Sequence, residues 1–282
     1  MAHYQIRLAY DGTGFVGLQR QAQGRTVQGE VERALQALGW PGHAVLYAGR
    51  TDTGVHALGQ VMSFRLDWAH DTAALVRALN ANLPPDIVAR AGRRVASDFH
   101  PRYDAVARRY VYRVYCARRR NPFRDRYAWR VWPCPQAGLL HAASQSLPGR
   151  RDFAALGTPP AGPRGTTVRT VFRAAWYPLG PDEWAFDVAA DAFLYRMVRR
   201  MVAAQVAVAQ GRRSLDAWRA ALERPPEHPW AVLAPPQGLY LAAVYYAAQA
   251  PAALQVPWPK ARFRAWWQDL WRDAPGLENE PR

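Results

Sequence analysis

At 282 residues and 31.7 kDa, half hydrophobic and 21% charged, the chain is long enough for one or two domains with a core of their own, so no metal or disulfide staple is needed to explain folding. Its two cysteines, Cys116 and Cys134, form no CxxC pair, which argues against a structural zinc site or disulfide scaffold and fits a reducing cytosol. Formal net charge is +15, no signal-peptide core follows Met1, and the longest apolar run, Leu239 to Ala248, is too short to cross a bilayer; the expectation is a soluble cytoplasmic protein.

Tyr4 to Tyr10 alternates apolar and polar residues and predicts a strand, broken at Asp11-Gly12. Val27, Val31, Leu35 and Leu38 fall at helical spacing and predict an amphipathic helix ended by Gly39. Ala44 to Ala48 and Gln60 to Leu66 are strand-like, with Gly49 to Gly59 as the loop between them. Thr72 to Asn82 predicts a helix closed by Pro84-Pro85, and Ile87 to Val95 a further strand. The first half thus runs β-α-β-β-α-β, an order that packs helices on one face of an antiparallel sheet.

The second half repeats that order more loosely. Arg108 to Cys116 and Tyr127 to Trp132 predict strands, and Pro135 to Leu147 a helix. Arg169 to Tyr177 and Glu183 to Ala190 predict a hairpin around Gly180-Pro181. Phe193 to Gln210 is the longest helical stretch; Leu215 to Leu222 is a short helix, and Leu239 to Ala247 a closing strand. The expected fold is α+β: two ferredoxin-like halves, residues 1–104 and 105–250, fused into a continuous, mainly antiparallel sheet with helices on one side and a basic cleft on the other. In the extension, residues 251–282, Phe263, Trp266, Trp267, Leu270 and Trp271 share one helical face flanked by Arg262, Arg264 and Arg272, which predicts a helix docked on the body before a frayed end.

Of the 37 basic residues, Lys260 is the one lysine. A GC-rich genome explains that choice, and also why Ile6 and Ile87 are the chain's isoleucines, but not the excess of base over acid. Between Arg90 and Arg130, thirteen arginines face Asp98, Asp104 and Asp125, a local +10, with Tyr103, Tyr110, Tyr112, Tyr115, Phe123 and Trp129 interleaved. Guanidinium and ring side chains together suit RNA, whose unpaired bases stack on such planes.

Gly12-Thr13-Gly14-Phe15-Val16-Gly17 matches GxGxxG after a strand, but the next helix signal begins about ten residues later, so no pyrophosphate would meet a helix N-terminus. Lys260 sits in no Walker loop, and the seven histidines are scattered. No nucleotide cofactor and no metal are expected. The densest chemistry lies in Ala48-Gly49-Arg50-Thr51-Asp52-Thr53-Gly54-Val55-His56-Ala57. Arg50 and Asp52, two apart, can project from one side of an extended loop, where the guanidinium keeps the carboxylate ionised as a nucleophile requires. The same residues also read as a hairpin loop with a surface ion pair. Paired carboxylates of a sugar-processing enzyme are a third reading, with Asp11 as the acid facing Asp52.

The sequence resembles the tRNA pseudouridine synthase A family. The matching stretches are Tyr10-Asp11-Gly12-Thr13 with Phe15, Gly17, Gln19 and Gln21; Gly49-Arg50-Thr51-Asp52 through Gly54-Val55-His56-Ala57 with Gln60-Val61; and Asn80-Ala81-Asn82-Leu83-Pro84. Asp98-Phe99-His100, Ala107-Arg108-Arg109-Tyr110 with Tyr112, Asp152-Phe153, Phe193 with Met197-Val198-Arg199, and Gly238-Leu239-Tyr240-Leu241 follow in the family's order. The resemblance implies isomerisation of uridine to pseudouridine in the tRNA anticodon arm, at nucleotides 38, 39 and 40, by a homodimer without cofactor. It makes Asp52 the nucleophile, with Arg50 pairing with it and holding the target nucleotide out of the stack. Tyr110 would lie against the flipped uracil, and Arg199 would be a second ion-pair partner of Asp52. Leu18, Leu156, Arg200 and Ala203 depart from the family pattern, and none coincides with these positions.

Overall fold

The computed structural model describes residues 1–158, 165–224, 232–247, 250–255 and 258–271. Within these, residues 1–106, 240–247 and 265–271 form one compact unit, and 107–239 with 250–264 another.

The first unit follows the expected order: β1 (Ala2–Tyr10), α1 (Val27–Ala37), β2 (Leu46–Tyr47), β3 (His56–Leu66), α2 (Thr72–Asn82) and β4 (Ile87–Arg94). β1 lies between β3 and β4, antiparallel to both, with Ile6 opposite Met62 and Gly92. β2 pairs with the far end of β3. The helices start where their caps put them: the Thr26 hydroxyl accepts from the Gly29 amide, and the Asp71 carboxylate from the Ala74 amide. Val31, Leu35, Leu75 and Leu79 of the helices and Ile6 and Leu8 of the sheet are buried.

The second unit holds β5 (Ala107–Cys116), α3 (Pro122–Asp125), β6 (Trp129–Val131), α4 (Ala137–Ser144), β7 (Gly149–Asp152), β8 (Val168–Pro178), β9 (Glu183–Ala190), α5 (Met197–Ala209) and α6 (Leu215–Glu223). Its sheet runs β5-β9-β8-β7, antiparallel throughout, with β6 added to β5 in parallel. α4, α5 and α6 pack on one another, and α4 also meets β8.

Several elements depart from the sequence expectation. β10 (Leu239–Tyr245), read as a closing strand, pairs in parallel with β3 through Tyr240–His56 and Leu241–Ala57, a partner that sequence order does not indicate. β3 begins at His56 rather than Gln60. Gly59, taken as a loop glycine, is a strand residue whose Cβ would collide with the Ala242 carbonyl of β10; it marks a close backbone approach. α5 starts at Met197, not Phe193, because Arg196 adopts a left-handed conformation, φ 61°, that interrupts the helix. Finally, Cys116 and Cys134, whose spacing argued against a disulfide scaffold, are bonded, with their Cα atoms 5.3 Å apart, so the cysteines no longer support a reducing compartment. Parallel pairing of β6 with β5 carries the chain back to Cys116, which sequence spacing does not reveal.

The extension forms α7 (Ala250–Gln255) and α8 (Lys260–Trp271). Within the second unit Phe263 is buried and stacks on Tyr177 at 4.1 Å, and within the first Trp267 is buried edge-on to Tyr240. Arg272 and the end expected to fray lie outside the described residues, as do the side chains of Leu270 and Trp271. No helix among the described residues is long and apolar enough to cross a membrane.

Candidate active site

Asp52 sits half-buried in the loop between β2 and β3, and Arg50 is exposed on the same loop. The loop's backbone is held by the turn that follows β1. The buried Tyr10 and Thr51 hydroxyls lie 2.7 Å apart. The Leu18 amide donates to the Thr51 carbonyl at 3.1 Å, and the Thr53 hydroxyl to the Val16 carbonyl at 2.9 Å. At the loop's start, the side-chain amide of fully buried Gln60 donates to the Gly49 carbonyl at 2.8 Å. At its end, the Val55 amide closes a turn onto the Asp52 carbonyl at 3.1 Å, with Gly54 at φ 75°, where a side chain would be strained.

The Gly-rich turn that mimics a dinucleotide motif is part of this brace. Residues Gly12–Gly14 form a single 3-10 turn capped by Asp11, whose carboxylate accepts from the amide and hydroxyl of Thr13 at 3.0 and 2.6 Å. The Gly12 amide lies 3.0 Å from Nδ1 of His56 and donates to it. The buried His56 ring stacks on Tyr240 at 4.8 Å. Gly12 passes so close to Val55 that a Cβ there would strike the Val55 carbonyl. Asp11 is thus committed to capping this turn, with Oδ1 also 3.1 Å from His56 Nδ1, which weakens its reading as a free acid facing Asp52.

The other two expected residues lie in the second unit. Tyr110, on β5, is half-buried and meets Phe193 edge-on at 5.0 Å. Arg199, half-buried in the first turn of α5, donates from Nε to the Ala234 carbonyl at 2.7 Å, while its own carbonyl accepts from the Ala234 amide. The Asp191 carboxylate, eight residues before Arg199 in sequence, accepts from the Thr170 and Ala192 amides. Arg200, beside Arg199, has its pKa lowered by burial and by the neighbouring charges of Arg196 and Arg199. No cluster of three or more potential metal ligands occurs among the described residues.

Sequence reading missed the partnership of Tyr10, Gly12, Thr51 and His56. All four stand in the stretches that carry the family resemblance, yet nothing in their spacing reveals that they touch.

The chain thus combines helices with mainly antiparallel sheets and presents a braced, glycine-flanked aspartate loop, and comparison with known proteins places it in a class of RNA-modifying isomerases. The family described as tRNA pseudouridine synthase matches residues 7–104 and 143–247. The tRNA pseudouridine synthase A of Roseiflexus castenholzii is 39% identical over 259 residues, 90% of this chain and 94% of that protein. That of Cereibacter sphaeroides is 40% identical over 259 residues, 90% of this chain and all of its own length; that of Lactiplantibacillus plantarum is 37% identical over 247 residues, covering 86% and 94%. The chain belongs to the tRNA pseudouridine synthase family and is an isomerase.

Proposed function

We propose that this chain isomerises uridine to pseudouridine at nucleotides 38, 39 and 40 of the tRNA anticodon stem-loop, as a cytoplasmic homodimer that needs no cofactor, with Asp52 as the nucleophile. The observation that carries the reading is the aspartate loop itself. A half-buried carboxylate rides on a backbone fixed by Tyr10, Gly12 and Gln60, so its position is set before substrate arrives.

The reaction breaks the N1–C1′ bond, turns the uracil and joins C1′ to C5. C5 then loses a proton and N1 gains one, so the overall change is redox-neutral. Addition of Asp52 to the ring and attack on the ribose both require the carboxylate as an anion. A stacked uridine is out of reach, so the nucleotide is extruded at a cost of about a few kcal/mol. Arg50, exposed on the aspartate loop, fills the vacated space. Tyr110 offers the uracil a flat apolar face with a polar tip, and its contact with Phe193 keeps the ring in place while the base rotates. Arg199 serves as counter-charge to the aspartate, and fixed dipoles stabilise the charge on the detached uracil.

The test is Asp52→Asn. Tritium release from C5-labelled tRNA should stop while filter binding of tRNA persists; turnover in that variant refutes the role. Pseudouridine mapping in tRNA from cells with and without the protein fixes the positions, and sedimentation of the pure protein with and without tRNA tests the dimer.

A further inference from the structure

We propose that the disulfide-closed loop from Cys116 to Cys134 is a second RNA-binding surface, on which Arg118 and Arg119 take backbone phosphates and Phe123 stacks on an unpaired base of the substrate. This rests on the reading of the chain as an enzyme acting on tRNA. The loop lies outside the stretches that identify the family, residues 7–104 and 143–247.

Charge is the first observation. Between the two cysteines stand Arg118, Arg119, Arg120, Arg124, Arg126 and Arg130 against Asp125 alone. The nearby acids are consumed within the fold. Asp125 lies 2.5 Å from the Tyr115 hydroxyl and 3.2 Å from Arg120. Asp182 binds Arg124 at 2.7 Å, and Glu183 is shared between Arg113 and Arg124. Arg118 and Arg119 are exposed and have no acidic partner among the described residues. Six guanidiniums against one carboxylate leave the loop with a positive excess.

Shape is the second. The bridge joins the loop's ends, and β6 runs beside β5 within it. The Asn121 amide donates to the Tyr115 oxygen at 3.2 Å, and the Asn121 side chain caps the amides of Phe123 and Arg124. Arg124 lies over the Tyr115 ring at 4.1 Å. This scaffold holds Phe123 at 87% exposure. A lone exposed ring is ordinary, but one fixed on a capped turn among guanidiniums matches what binds single-stranded RNA: a cationic track for the backbone and a π face for a base. Duplex contact alone would make no use of the ring.

The test compares the full-length protein with Arg118→Ala/Arg119→Ala, Arg118→Lys/Arg119→Lys, Phe123→Ala and Phe123→Trp. Affinity for unmodified tRNA is read by filter binding across a salt series, and pseudouridine formation by steady-state kinetics. Removing two phosphate contacts should make log K against log salt shallower by about 1.4 to 1.8, and the lysine pair should restore it. Phe123→Ala should weaken binding about 5- to 150-fold, Phe123→Trp should not, and kcat at saturating tRNA should hold in all four. Unchanged affinity and salt slope overturn the proposal, as does a loss of affinity for polyglutamate without any for tRNA, which would assign the surface to an acidic protein. If the variants bind tRNA normally while pseudouridine forms, the surface fails and the reaction stands. If the variants lose tRNA as stated but no protein makes pseudouridine, the reaction fails and the surface stands.

Discussion

Gly12→Ala is expected to cripple catalysis from a position that does not touch substrate in the proposed mechanism. The Gly12 backbone runs against the Val55 carbonyl, at the end of the loop that carries Asp52, and an alanine Cβ would penetrate that carbonyl. Restoring a tolerable carbon–oxygen separation of about 3.3 Å requires a shift on the order of 1 Å, because both partners are backbone and neither can rotate away. The shift also pulls the Gly12 amide from His56 Nδ1. Overpacking of this kind costs about 1–3 kcal/mol of stability, which a domain with a reserve of about 5–15 kcal/mol survives. Displacing a reacting carboxylate by about 1 Å lowers the rate roughly 100-fold, or about 2.7 kcal/mol in the barrier. The assay is tritium release under saturating tRNA, with thermal unfolding measured in parallel. Gly14→Ala is the internal control: a Cβ there lies 3.6 Å from Arg25, in ordinary contact, and should leave kcat and Tm unchanged. If Gly12→Ala keeps kcat within twofold of the parent, the aspartate loop is not set by this crossing and the reasoning fails.

Three further outcomes follow from the structure. Asp187, fully buried, binds Arg109 at 2.7 and 2.9 Å and Arg173 at 2.9 Å, so Asp187→Asn should cost about 3–5 kcal/mol in urea unfolding; Arg109→Met/Arg173→Met/Asp187→Leu should recover most of it, and a loss below about 1 kcal/mol for the single variant would contradict the pairing. Opening the Cys116–Cys134 bridge, which spans 18 residues, should lower stability by about 3 kcal/mol, seen as a fall in the urea midpoint on adding dithiothreitol that Cys116→Ser/Cys134→Ser no longer shows. The Asp182 carboxyl is held below the usual range chiefly by its hydrogen bond to Arg124, so its stabilising effect is complete above about pH 3.9 and is lost as pH falls through the lower folded value; NMR titration should show this depressed midpoint in the parent and an ordinary one in Arg124→Ala.

The first unit's order was legible because each element carries a strong local signal: alternation in β1, apolar spacing in α1, and caps at Thr26 and Asp71. The aspartate loop was legible from composition, since arginine, aspartate and glycine crowd between two strands. Contacts between distant backbones were not. Gly59 looks like a loop residue until β10 is placed beside it, and Gly12, whose GxGxxG match the late helix already discounts, finds its physical reason only when Val55 is seen across from it. Strand partnership is equally silent in sequence: nothing in Leu239 to Tyr245 says that it pairs with β3. The left-handed Arg196 defeats helical periodicity, because Phe193 and Leu194 keep the spacing of a helix that the backbone does not form there. The disulfide required knowing that β6 returns along β5.

The aromatic extension finds its physical role in the same buried charge that Asp187 serves. Two guanidiniums, Arg109 and Arg173, share one carboxylate, which leaves a formal positive excess inside the second unit. The buried Trp258 ring lies against both, 4.2 Å from the Arg109 guanidinium carbon and 4.8 Å from that of Arg173, while Arg262 approaches the same indole at 4.6 Å. The negative face of an indole is the one apolar surface that stabilises a cation it also shields from water. Successive residues of a strand point to opposite faces, so the side of β5 that Arg109 anchors is the reverse of the side that presents Tyr110. Through Trp258 the extension therefore steadies, from behind, the strand beneath the proposed uracil platform.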